Sequence, residues 1–364
     1  MSIQDQATLR EVVSHFSVAG VCISAHAYGN GHINDTFRVI TEQEGVETFY
    51  VLQSINHYVF KEPFRVMENI VAVLDYLATE HGGSPLRVIP TLEGGSCYKD
   101  TSGNYWRMYN LVENSFSPET ISSPEEFYEC AYAFGKFQRD LADFPADTLH
   151  ATIADFHNTP KRYETFLASV QADRAGRKAE TAEEIAFVRA RADFYATLEQ
   201  AHRDGILPLR VSHNDTKSNN VLLGTDTHKS MCVIDLDTIM PGYSVTDFGD
   251  AIRFGANTAA EDEKDLSKVK LDMELFRIYA KGFLDGCGGS LPRGEVMLLP
   301  EGALMMTLEC GMRFLTDYLD GDVYFKTAYP THNLDRCRTQ FRLAEEMEAH
   351  WEEMKATVAS LLEG

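Results

Sequence analysis

Residues 211–257 read VSHNDTKSNNVLLGTDTHKSMCVIDLDTIMPGYSVTDFGDAIRFGAN, and this stretch constrains the fold more than any other. His213 and Asp215 form an H-x-D pair, Asn220 follows Asp215 by five residues, and Asp235 ends a short apolar run. Val221, Leu222 and Leu223 predict a short strand, residues 224–229 a turn, and residues 231–234 a second strand. Such a hairpin carries Asn220 and Asp235 on neighbouring strands, close enough to share one ion.

These residue types suit phosphoryl transfer to a hydroxyl. One Asp orients and deprotonates the hydroxyl, while an Asn and a second Asp hold Mg²⁺ against the phosphates. The charge balance agrees. A chain of 364 residues with a formal net charge of -22 repels nucleic acid and anionic membrane. ATP is also an anion, and it suits a metal-dependent site better than an open basic groove. The seven cysteines are scattered with no C-x-x-C, as in reduced thiols of a cytosolic protein. The N-terminus lacks the features of a signal peptide, and no apolar run is long enough to span a bilayer. A cytoplasmic location is the expectation.

Taken in order, Leu9, Val12, Val13 and Phe16 predict an opening amphipathic helix. Strands are expected at 21–27, 36–40 and 49–55. The first two flank the turn YGNGHIND, where Gly29 and Gly31 permit close backbone approach to a ligand. On the third strand Gln53 stands where a phosphate-binding Lys is expected in this kind of site. Residues 68–78 predict a helix, with Glu68 a candidate partner for that missing Lys or simply a solvated acid. Two more strands are expected at 87–91 and 105–112. The segment YWRMYNLVENSF then reads as a hinge, with Asn110, Val112 and Glu113 as candidates for adenine contacts. The expected architecture is α+β, with a small β-rich nucleotide-binding lobe at 1–112 and a large helical lobe at 113–364. In the second lobe helices are expected at 124–142, 173–203, 271–284, 302–319 and 343–362. The string Asp247-Phe248-Gly249 imitates a metal motif but lies too far from Asn220. Asp247 or Asp250 is expected instead to accept hydrogen bonds from the catalytic-loop backbone, and Arg253 to pair with one of them.

His213, Asp215, Asn220 and Asp235 resemble the signature of the aminoglycoside phosphotransferase superfamily, small-molecule relatives of protein kinases. The longer strings GNGHINDTF, HNDTKSNNVLL, VIDLDT and DFGDAIRFGAN are similar to those of the N-acetylhexosamine 1-kinases. In that group a Gln in place of the strand Lys is typical. The resemblance implies a two-lobed protein-kinase-like fold and ATP- and Mg²⁺-dependent phosphorylation of the anomeric hydroxyl of N-acetylglucosamine or N-acetylgalactosamine. It implies Asp215 as base and Asn220 and Asp235 as metal ligands. His32, Asn34, Arg313, Tyr324 and Trp351, with Asp215, would bind the sugar. On the residue reading above, Gly29, Gly31 and Gln53 are candidates to face the nucleotide. Periodicity alone places Trp351 in a core stripe with Leu343, Met347, Met354, Val358 and Leu361. Likewise Arg313 is open to reading as a helix-surface charge, and His32 as a turn histidine. A kinase of another small alcohol (an aminoglycoside, choline or homoserine) and a nucleotide-binding pseudokinase are the competing readings. Oligomeric state is not legible.

Overall fold

A computed structural model describes residues 6–29 and 33–363. Strands β1 (Val21–Ala27), β2 (Asp35–Gln43), β3 (Val46–Ile55), β4 (Tyr98–Lys99) and β5 (Tyr105–Asn110) form one antiparallel sheet in the order β1-β2-β3-β5-β4. Alternation sets its two faces. Tyr50 and Leu52 on β3 and Trp106 and Met108 on β5 turn to a small core closed by Leu9, Val12 and Val13 of α1 (Gln6–Val13). Residues next to them on the same strands, Gln53 and Arg107, belong to the opposite face. That face meets α2 (Pro63–Glu80), which starts with proline in its first turn.

The strand expected at 87–91 does not form. Pro85 precedes it and Pro90 lies within it, and only single bridges remain, Val88 to Tyr109 and Thr91 to Phe16. A proline cannot donate to a ladder, so the segment stays irregular.

The chain leaves the large sheet at Asn110 and enters a second one at β6 (Ser115–Phe116), which pairs with β8 (Val221–Gly224). β9 (Ser230–Val233) completes this three-stranded sheet, and β7 (Arg210–Ser212) pairs with β10 (Met240–Gly242). The remainder is helical. It comprises α3 (Pro124–Asp140), α4 (Thr159–Ala172), α5 (Ala182–Arg189), α6 (Thr197–Arg203), α7 (Ser244–Gly255), α8 (Met273–Cys287), α9 (Arg293–Val296), α10 (Leu299–Asp320), α11 (His332–Ala349) and α12 (Trp351–Leu361). The sheet-bearing N-terminal region and helical C-terminal part match the expected class. Their cores are not separate: Ile55, Met67, Ile70 and Tyr109 join the same cluster as Phe134, Phe248 and Leu308.

Two long expected helices are divided. The 343–362 stripe holds, with Leu343, Met347, Met354 and Val358 buried, but His350 breaks it into α11 and α12. The 173–203 stripe likewise buries Ile185, Val188, Tyr195 and Leu198, yet tight turns interrupt the helix. Burial on one side can be achieved by successive short segments, so a 3.6-residue period does not guarantee continuity. The seven cysteines are free.

Candidate active site

The hairpin β8–β9 builds the centre. Val221 pairs with Val233, and the Ile234 N–H donates to the Asn220 carbonyl at 2.9 Å. Asn220 and Asp235 therefore stand side by side at the end of the hairpin opposite its turn. Asp235 has φ +58° and Asn214, just before Asp215, has φ +64°. Asn and Asp tolerate this left-handed region better than other chiral residues. One departure from ordinary backbone falls on Asp235 itself and the other next to Asp215.

The loop carrying Asp215 is held from below. Asp247 accepts from the His213 N–H through Oδ2 and from the Asn214 N–H through Oδ1, each at 2.8 Å. Gln138 Nε2 also donates to its Oδ2 at 3.0 Å. Burial pushes this carboxyl up, against the pull of His213 and the two backbone donors. Asp250 pairs with Arg253 at 2.8 Å, and although burial alone would raise it, Arg253 and Lys217 hold it below the usual carboxylate range. So Asp247 takes the backbone role and Arg253 the pairing role, with the metal reading of Asp247 set aside. His213 is fully buried, accepts from the Asp215 N–H at Nδ1 and donates from Nε2 to Ile234 O at 2.9 Å. Its part is to brace the loop.

Asp215 is half-buried. Its Oδ1 lies 2.9 Å from Lys217 Nζ and its Oδ2 accepts from Asn220 Nδ2 at 3.1 Å. Asn220 also donates to Asp215 O at 2.8 Å. Its amide nitrogen is thereby spent, and Oδ1 is what it offers a cation. Asp235 remains open to solvent although protein surrounds it. Burial, then Asp237 and Asp215, push its carboxyl up to about 7, against Arg107 and Lys217. A carboxylate so crowded by others lacks positive charge, the condition a divalent cation relieves. Among the described residues no three His, Cys, Asp or Glu side chains converge as a closed metal site. Mg²⁺ asks for less: one or two carboxylates with substrate phosphates. Asn220 and Asp235 fit that demand.

On the sheet side, Gln53 and Arg107 are direct partners across β3 and β5. Gln53 Oε1 accepts from Arg107 Nε at 2.9 Å, and its Nε2 donates to Thr36 Oγ1 at 3.0 Å. Arg107 Nη1 pairs with Asp237. Asn34 Nδ2 donates to Asp237 Oδ2 at 2.6 Å, and its Oδ1 accepts from the Asn56 N–H. Both polar ends of Asn34 are thus engaged within the protein. Glu68 turns away, to His150 at 2.7 Å. Gly29 has φ +74° and open space around it, while Gly31 and His32 lie outside the described residues. At the crossing, Asn110 Oδ1 accepts from the Arg87 N–H and its Nδ2 donates to Pro85 O. Val112 is buried and its carbonyl accepts from Ser115 Oγ; Glu113 is exposed.

A second group lies on the helical side. His157 Nδ1 meets Glu309 at 2.9 Å, and its Nε2 approaches Asn214 O at 3.5 Å. Thr159 occupies the other Glu309 oxygen. One helical turn beyond Glu309, Arg313 lies 5.7 Å from the Phe156 ring, 5.9 Å from Tyr324 and 5.6 Å from Phe325. Arg162 donates to Phe156 O at 2.9 Å, and its pKa falls through burial and the nearby charge of Arg313. Arg313 and Tyr324 are therefore brought together. Trp351 opens α12, half-buried on the core, with Lys355 over its ring at 5.4 Å.

Several of these residues went unread in the sequence. Lys217 was within reach, two positions after Asp215. Arg107 signalled itself as the one charge in the apolar run YWRMYN. Arg162 and His157 carry no local pattern at all.

Among the described residues no helix is long and apolar enough to cross a membrane. The profile of the phosphotransferase enzyme family matches residues 24–271. Solved structures share the fold at low identity. A microcompartment-associated aminopropanol kinase has a TM-score of 0.65 at 16% identity, covering 96% of this chain and 98% of its own. Choline kinase from Cryptosporidium parvum has 0.59 at 13%, covering 99% and 100%. Spectinomycin phosphotransferase, solved with ADP and spectinomycin, has 0.55 at 14%, covering 94% and 100%. With a family match over most of its length and this arrangement of Asp215, Asn220 and Asp235, the chain belongs to the phosphotransferase enzyme family.

Proposed function

We propose that the protein is an ATP- and Mg²⁺-dependent kinase of N-acetylhexosamines, acting on the anomeric hydroxyl. Residues 1–112 would cover the nucleotide, and residues 113–364 would supply the acid and the acceptor pocket. Asp215 accepts the hydroxyl proton. Lys217 lies 2.9 Å from its Oδ1, and is itself held as a cation by Asp215 and Asp250 against the effect of burial. Asn220 Oδ1 and Asp235 would hold Mg²⁺, which when bound neutralises charge on the phosphate oxygens. Phosphoryl transfer asks mainly for positioning and charge compensation, and these groups provide both.

The acceptor reading is carried by Arg162 and Arg313 beside an aromatic rim of Phe156, Tyr324 and Phe325. Guanidinium groups suit hydroxyl and carbonyl oxygens, and an aromatic rim suits the C–H face of a sugar. They do not suit a cation. A like charge about 6 Å away costs about 3 kcal/mol at an effective dielectric of about 20, roughly a hundredfold in affinity. The names of the aminopropanol and choline kinases point to amino alcohols; the two arginines favour a neutral acceptor here. The choice of an N-acetylhexosamine rests on the matched strings and on Arg313 and Tyr324.

ATP consumption with N-acetylglucosamine, N-acetylgalactosamine, choline, ethanolamine and an aminoglycoside tests the reading, with ³¹P–¹H NMR of the product. Hexosamine-dependent turnover and an anomeric phosphate are expected. Turnover confined to the amines refutes the acceptor class. Arg313→Ala should raise the sugar KM about tenfold or more, and an unchanged KM removes Arg313 from the pocket.

A further inference from the structure

The N-terminal sheet offers no lysine at Gln53, yet it buries a cation one strand away. We infer that Arg107 is a positioning residue for the metal-bearing turn, doing through Asp237 what a strand lysine would do by direct contact. This rests on the phosphotransferase reading above.

The side chain of Arg107 is 1% exposed, so it does not reach a ligand. It meets four elements: Gln53 on β3, Met67 on α2, the Tyr109 ring on its own strand, and Asp237 in the turn after β9. Asp237 is gripped a second time by Asn34. The turn it belongs to, Leu236–Thr238, follows directly on Asp235. The same turn holds the Asp215 loop: Thr238 O accepts from Asn214 Nδ2 at 2.9 Å, and Thr238 Oγ1 donates to His213 O at 2.6 Å. One guanidinium thus ties the sheet to the backbone of both acids. Its charge also opposes the crowding of Asp215, Asp235 and Asp237. Fold stability alone does not call for it, because a buried ion pair is generally no better than a packed apolar pair. The neighbours of Arg107 on β5, Trp106 and Met108, are buried and apolar.

The test measures MgADP binding by calorimetry, which needs no acceptor, alongside thermal melting. Arg107→Met/Asp237→Leu replaces the pair by apolar groups but leaves Asn34 Nδ2 and Gln53 Oε1 without these partners, so its melting point should fall, and binding is measured well below it. Its Kd for MgADP should rise about tenfold or more, as when outer-shell support of a metal ligand is lost. Arg107→Lys, which keeps the charge and loses the Nε bond to Gln53, should bind more tightly than Arg107→Met. A double variant that binds MgADP like the wild type overturns the inference, as does a lysine variant no better than methionine. Should the methionine variants fail to fold, Arg107→Lys decides alone: a Kd raised two- to tenfold supports the inference and an unchanged Kd refutes it. Wild-type protein that binds no MgADP would instead bring down the nucleotide reading, and this inference with it.

Discussion

Replacing Asp215 by Asn separates chemistry from architecture, because the structure makes the two costs very different. The carboxylate has two partners, Lys217 at 2.9 Å and Asn220 at 3.1 Å, and the acid and lysine side chains are 28% and 36% exposed. An ion pair that open contributes at most about 1 kcal/mol to stability. Asn is also nearly the same shape, although its amide NH₂ must face either a lysine or the Asn220 amide, donor against donor. Loss of a general base, by contrast, costs about 10²–10⁴ in rate, or about 3–5 kcal/mol of activation free energy. Asp215→Asn should therefore melt within a few degrees of the wild type. Its kcat should fall by at least a hundredfold, while the KM for MgATP moves less than about threefold. A coupled assay for ADP with N-acetylglucosamine as acceptor, run beside thermal denaturation, reads all three. A kcat within tenfold of the wild type would refute the role given to Asp215. So would a loss that merely tracks a fall in the folded fraction.

As a proposed metal ligand, Asp235 would make cation binding pH-dependent. Its carboxyl is pushed from 3.8 to about 7 in the folded protein, so without a cation this group's contribution to stability is present below about pH 4 and is lost as pH rises towards 7. A cation must displace that proton below pH 7. Stabilisation by millimolar Mg²⁺ in a thermal melt should be larger at pH 8 than at pH 6, and equal shifts would count against Asp235 as a ligand. Helix packing supplies a separate test. A Cβ on Gly249 of α7 would lie 2.2 Å from the Gly302 carbonyl oxygen of α10. Gly249→Ala should cost about 1–3 kcal/mol or more by denaturant titration, and an unchanged midpoint would show that these helices are free to separate.

The grouping of the candidate residues was legible in the chain because it is local. Asp215, Asn220 and Asp235 are separated by one loop and one hairpin, and alternation and turn residues suffice to bring Asn220 and Asp235 together, at the open end of the hairpin rather than on its strands. Asp247 was legible as a support for the same reason: its partners lie within one crossing of the chain. The apolar stripes of the helices were also readable, since burial follows periodicity, although the break at His350 and the irregular run at 87–91 were not. The first depends on what the flanking segments pack against; the second follows from Pro85 and Pro90, a signal present in the sequence but outweighed by the apolar residues around it. The lysine deficit at Gln53 was visible, but its counterpart was not, because Arg107 gains meaning only when β5 is laid beside β3 and the turn after Asp235 closes on it. The proposed acceptor side is the extreme case. Arg162, Phe156 and Arg313 come from α4, the loop before it and α10, and no spacing in the sequence joins them. Short-range hydrogen bonding and alternation determine which residues can do chemistry; only tertiary packing decides which distant charges face them, since electrostatic energy depends on separation in space and burial, neither of which the order of residues specifies.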